Sequence, residues 1–210
     1  MEIKNNKMDK NQEHLDNLNE IRSIMEKSSS FISLSGLSGI SAGIIGLAAS
    51  YVFYSIIYSG RTFNPNLLPE YITIRLLLTG IVTLVITFTS AIYFTARKAK
   101  KKNLPVWSSS SKRLVVNLFI PLTAGGLFCL YLLYYNYLPL LVPAMIVFYG
   151  LALINASKYT LSDIKLLGIT ETALGLISLF FFEYAVLFWA IGFGVLNIIH
   201  GIVMYVKYER

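Results

Sequence analysis

Six apolar runs, each near the roughly 20 residues that cross a hydrocarbon core of about 30 Å, are separated by connections whose basic residues fall almost wholly on alternate sides. In lipid every backbone N–H and C=O must find its partner inside the protein, and helices achieve this within each span. The expected fold is therefore all-α. It is a polytopic membrane protein with spans at 31–58, 71–96, 114–135, 138–156, 166–182 and 184–206. An apolar share of 55%, a charged share of 14% and a mean hydropathy of +0.62 exceed the soluble norm.

Orientation follows from the basic residues. With the amino terminus inside, the inner side holds Lys4, Lys7, Lys10, Arg22 and Lys27, then Arg97, Lys98, Lys100, Lys101, Lys102, Lys112 and Arg113. Lys158, Lys165, Lys207 and Arg210 complete it, which makes sixteen of the eighteen basic residues and leaves only Arg61 and Arg75 outside. The positive-inside rule then places both termini in the cytoplasm, with 207–210 as a short tail. Connections at Asn136–Tyr137 and around Glu183 are too short for anything but antiparallel neighbours, and 59–70, with Pro65 and Pro69, closes a similar turn. Three antiparallel hairpins are expected.

Residues 1–30 are polar and charged, with neither the apolar core nor the cleavage site of a secretory signal. Within them Leu15, Leu18, Ile21, Ile24 and Met25 recur at three- and four-residue steps, opposite Glu13, Asp16, Asn17, Glu20 and Lys27. This reads as an amphipathic helix lying on the bilayer, or as a docking site for a cytosolic partner. The inner connection 97–113 joins Lys98, Lys100, Lys101 and Lys102 to Trp107 and four serines, a pattern that orients the chain and contacts lipid headgroups. A net charge of +7 in such a chain points to anionic lipid and not to nucleic acid. Cys129 is the single cysteine, so no disulfide forms within the chain.

The first run carries Gly36, Gly39, Gly43 and Gly46 among serines and alanines. Small residues at this spacing let helix backbones approach closely in lipid, which makes this the expected central helix. Gly39-Ile40-Ser41 followed by Gly46-Leu47 is echoed by Gly168-Ile169-Thr170 followed by Gly175-Leu176. Both segments open outward-running helices, as parallel two-helix repeats require.

Ionisable residues inside a membrane are the default place to look for function, because a charge there costs at least about 2.5 kcal/mol. Glu171 in the fifth run and His200 in the sixth lie at similar depth from the inner side, with Asn197, Asn155 and Asn117 at comparable or shallower levels. Two readings stand: a proton-responsive pair of Glu171 and His200 open to the cytoplasm, or a hydrogen-bonded staple of the last hairpin. Chemistry has little to work with. Only His14, His200 and one cysteine are present, with no HExxH, GxSxG or P-loop, so no metal, no cofactor and no enzymatic activity are expected.

Tyr149-Gly150-Leu151-Ala152-Leu153-Ile154-Asn155-Ala156-Ser157-Lys158-Tyr159-Thr160 and Ser35-Gly36-Leu37-Ser38-Gly39-Ile40-Ser41-Ala42-Gly43 resemble small six-helix membrane proteins of Bacteroidota-type bacteria. That resemblance implies a bacterial inner membrane and no particular activity. The last hairpin, with Gly168, Gly175, Gly192 and Gly201, is similar to the glycine-punctuated repeats of HdeD-type acid-resistance membrane proteins. Glu171 and His200 match no motif of either family. The expected role is non-enzymatic, in envelope stress, sensing or regulation, through a protein partner or a homo-oligomer in the lipid bilayer. The alternative is a small transporter or channel with a polar site facing the cytoplasm.

Overall fold

The computed structural model describes residues 35–58, 70–101 and 107–210. The amphipathic stretch Leu15 to Met25, the beginning of the first run at Phe31, the 59–69 connection and Lys102 lie outside the described residues. The chain forms α1 (Gly36–Tyr58), α2 (Glu70–Lys101), α3 (Ser109–Tyr134), α4 (Leu138–Ala156), α5 (Ser162–Ser178) and α6 (Ala185–Trp189). A π-helical stretch, Ala190–Leu196, carries α6 without a break into α7 (Asn197–Tyr208), so these three make one last span. Five stretches of 22 to 31 residues are long and apolar enough to cross a membrane. The helix that falls short of this is α5, with 17 residues.

Helix ends differ from the expected ones for local reasons. α2 continues to Lys101, past the expected end at 96, and puts Lys98, Lys100 and Lys101 in its last turn, where cations favour the carbonyl end of the helix dipole. α3 begins at Ser109 and not at 114, because Ser108 caps it: the Ser108 hydroxyl accepts from the Ser111 amide at 3.2 Å, and the Ser111 hydroxyl accepts from the Ser108 amide at 2.6 Å. The turn into α4 is a Schellman closure. Tyr137 N donates to Leu132 O at 2.8 Å and Asn136 N to Leu133 O at 3.1 Å, with Asn136 at a φ of 58° that asparagine tolerates.

The helices pack in the order α2, α1, last span, α5, α4, α3. The 1–2 and 3–4 hairpins are therefore also packing pairs, but α5 and the last span are not: α5 lies mainly on α4, and the last span lies mainly on α1. Glycines decide this. A Cβ on Gly43 would sit 2.5 Å from Ile198 Cγ1 and 2.6 Å from Gly194 O, and one on Gly201 would sit 2.5 Å from Ile40 N. Gly36 and Gly46 press equally hard on Tyr205 and Phe193. A second seam joins α4 to α5, where a Cβ on Gly168 would meet Gly150 O at 2.7 Å and one on Gly175 would meet Val147 Cγ2 at 2.7 Å. Each of the two echoing segments supplies one seam, and close backbone contact replaces the hydrophobic effect that lipid removes.

Ile74, Leu78, Ile81, Val82 and Val85 on α2 are exposed, as are Ile120 and Leu127 on α3. Apolar surface on this scale is untenable in water and natural against lipid. The end of the bundle bearing Lys101, Arg113, Lys158 and Lys207 is the basic end. The far end is ringed by exposed Tyr134, Tyr135, Tyr137, Phe181 and Tyr184, as at a membrane–water interface. The buried apolar cluster Leu153, Leu161, Ile164, Leu167 and Met204 locks α4, α5 and α7 together toward the basic end.

Candidate functional site

Glu171 lies on α5 about 14 Å from its first residue at 1.5 Å per residue, and its side chain is 0% exposed. It faces α4 and the last span. Tyr149 on α4 donates its hydroxyl proton to Asn197 Oδ1 at 2.9 Å, and Asn197 Nδ2 donates to Gly192 O at 3.1 Å and, more weakly, to Glu171 Oε1 at 3.4 Å. The second carboxyl oxygen, Oε2, is buried without a hydrogen-bond partner.

The backbone around this junction is unusual in the way sites often are. Asn197 follows the π-helical stretch, whose widened turns mark functional positions more often than plain helix does. Gly192 lies in that stretch, and a Cβ there would come within 2.8 Å of Glu171 Oε2. A larger residue there would push the carboxyl from this position.

The five polar residues singled out in the sequence split into two groups. Glu171 and Asn197 meet, with Tyr149 as a third member. His200 does not join them: its Nδ1 lies 3.1 Å from Leu196 O of its own helix. Asn155 Nδ2 donates to the Asn117 backbone carbonyl at 2.8 Å, and Asn117 Nδ2 donates to Arg113 O at 2.8 Å, which pins α4 to α3 at a separate place. Among the described residues no basic side chain pairs with Glu171, and no three His, Cys, Asp or Glu side chains converge as a metal would require.

A second polar assembly closes the basic end. Glu209 accepts from Ser35 Oγ at 3.1 Å and from Gly36 N, and so caps α1, while Lys98 Nζ lies 3.3 Å from the same Oε1. Lys98 was placed among the headgroup lysines by its sequence context, yet it is turned inward and only 6% exposed; Lys100, Lys101 and Trp107 are exposed. Next to Glu209, Tyr208 donates to Asp163 Oδ2 at 2.7 Å and Lys207 lies 3.2 Å from it. Asp163 precedes the apolar part of α5. The Tyr208 hydroxyl, then Lys207, hold its carboxyl below the usual carboxylate range.

Sequence reasoning missed Glu209, Asp163 and Tyr149. The first two sit among interfacial charges, and tyrosine inside an apolar run gives no sign of a buried donor.

A helix-only bundle with lipid-facing walls and a carboxyl sealed among three helices is a multi-pass α-helical membrane protein. Comparison with protein-family models, curated proteins and solved structures gives no match. The chemistry of the site must therefore speak for itself. Gain or loss of one proton converts a carboxyl between an acceptor and a donor–acceptor, and charge in lipid is costly.

Proposed function

We propose that this chain is a non-enzymatic sensor or regulator of the bacterial inner membrane, with both termini in the cytoplasm, acting in envelope stress through a protein partner or its own oligomer. The observation that carries this reading is Glu171, fully buried where α4, α5 and the last span meet beside a π-helical stretch. A regulator needs an element with two arrangements of similar energy and a local charge event that biases them. One proton at Glu171 changes the hydrogen bonding of a junction held by the single hub Asn197. A transporter instead requires a hydrated path at membrane depth, whereas one cavity of about 580 Å³ among the described residues is apolar and includes neither Glu171 nor Asn197. The distribution of basic residues supports the orientation, and the similarity of the last hairpin to acid-resistance membrane proteins supports the stress role.

The test is native mass spectrometry of the protein gently extracted from its own membrane, as wild type and as Glu171→Gln, with identification of co-purifying proteins. A stoichiometric protein partner or a defined oligomer, with occupancy changed by the substitution, is the expected result. A partner-free monomer that carries proton or solute flux in vesicles, lost in Glu171→Gln, overturns the reading in favour of a transporter.

A further inference from the structure

The far half of the bundle contains a cavity of about 580 Å³ lined from α1, α2, α3, α4 and the start of the last span. That volume falls within the roughly 300–1,000 Å³ of small-molecule sites. Its walls are hydrocarbon and aromatic, with Phe53, Leu84 and Met145 among them. One turn past Leu84, Phe88, which is not among the lining residues, meets Phe119 of α3 with ring centroids 5.5 Å apart.

Three details say what would fill it. Trp189, a lining residue only 7% exposed, has a buried indole Nε1–H with no hydrogen-bond partner. Leaving such a donor unmet costs about 1–3 kcal/mol, and a ligand oxygen would meet it. Glu183 is the one charged side chain in the lining, and it is exposed at the far end. Gly80 lines the cavity too, and a Cβ there would meet nothing within 4 Å, so the α2 wall is recessed.

We propose that this cavity binds the acyl chain of an amphiphile with an amino head group. The chain lies along the Phe53, Leu84 and Met145 wall, a carbonyl oxygen accepts from Trp189 Nε1–H, and the ammonium sits beside Glu183. An apolar pocket with few convergent polar groups is the usual form of such a site, and the carboxylate selects the sign of the head. This site is separate from the Glu171 junction and does not depend on the regulatory reading.

The chain has two tryptophans, so Trp107→Phe leaves Trp189 as the sole indole fluorophore. That protein, purified in detergent, is titrated with lysophosphatidylethanolamine and, separately, with lysophosphatidylglycerol of the same chain length. The expected result is a saturable change in Trp189 emission near one lipid per protein. Adding Gly80→Phe, whose Cβ enters open space and whose ring adds bulk to the lining, weakens it by about tenfold or more. The amino head is preferred by about three- to fivefold, the scale of an exposed ion pair, and Glu183→Gln, at an exposed position, abolishes the preference without touching the packing. A linear response shared by the Gly80→Phe protein, or equal affinity for the two head groups, overturns the proposal.

Discussion

Replacing Glu171 by glutamine is expected to change the stability of the bundle by no more than about 1 kcal/mol, whereas Asn197→Leu costs about 2–3 kcal/mol. The difference comes from the contacts. Asn197 holds Tyr149 at 2.9 Å, Gly192 O at 3.1 Å and Glu171 at 3.4 Å. Hydrogen bonds between helices in membranes average about 0.6 kcal/mol each, and removing this acceptor from the Tyr149 hydroxyl adds a further ~1 kcal/mol of desolvation without return. Glutamine keeps the shape of Glu171 and an oxygen that accepts from Asn197, and its amide nitrogen takes the place of an oxygen that has no partner to lose. Unfolding by sodium dodecyl sulfate in mixed micelles, followed by tryptophan fluorescence, reads the folded-to-unfolded ratio, in which 1.4 kcal/mol is about tenfold. Asn197→Leu then shifts the ratio by roughly 30- to 150-fold and Glu171→Gln by only a few-fold. If the two substitutions cost the same, the carboxyl is itself the staple, and the reasoning that frees it for a sensing role fails.

Gly43→Ala forces a methyl against Ile198 and the Gly194 carbonyl and costs about 2–3 kcal/mol in the same titration. Gly126→Ala, with nothing within 4 Å, gains up to about 1 kcal/mol; equal effects would refute the glycine seam. Glu209→Gln removes the carboxylate facing Lys98 and costs about 3 kcal/mol, much of which the double variant with Lys98→Met restores, as a double-mutant cycle measures. Because the folded-state pKa of Asp163 is depressed, its contribution is complete above the unfolded value of about 3.9 and is lost as pH falls through the lower folded value. Melting temperature followed from pH 6 down to 3, an acid range chosen to bracket that value, is expected to drop less steeply in Asp163→Asn than in wild type; parallel curves would remove Asp163 from the account.

Five of the six expected spans were legible because lipid demands length and apolarity, and Gly36, Gly39, Gly43 and Gly46 announced a seam through their spacing alone. What that seam pairs with was not legible. Short connections make α5 and the last span sequence neighbours, yet backbone access at Gly194 and Gly201 draws the last span to α1, and Gly150 draws α5 to α4. The depth of Glu171 could be counted along its helix, and His200 has a similar depth. Which residue it faces depends on helix rotation and side-chain direction: Asn197 tips back toward Gly192 at the level of the carboxyl, while the imidazole turns to Leu196 O. Lys98 belongs to a basic run that reads as wholly interfacial, but a helix turns its consecutive residues in different directions, and this one faces the protein.

Glu209 and Ser35 are 174 positions apart in the chain. During synthesis α1 therefore emerges and enters the bilayer long before the carboxylate that closes its first turn exists, and Lys98 likewise precedes its counter-ion. Until residue 209 leaves the ribosome, α1 lacks this cap and Lys98 lacks this carboxylate, and any chain cut before that point forfeits both contacts however well its helices have inserted. The cap on α1 is thus also a marker that translation has passed through the last span.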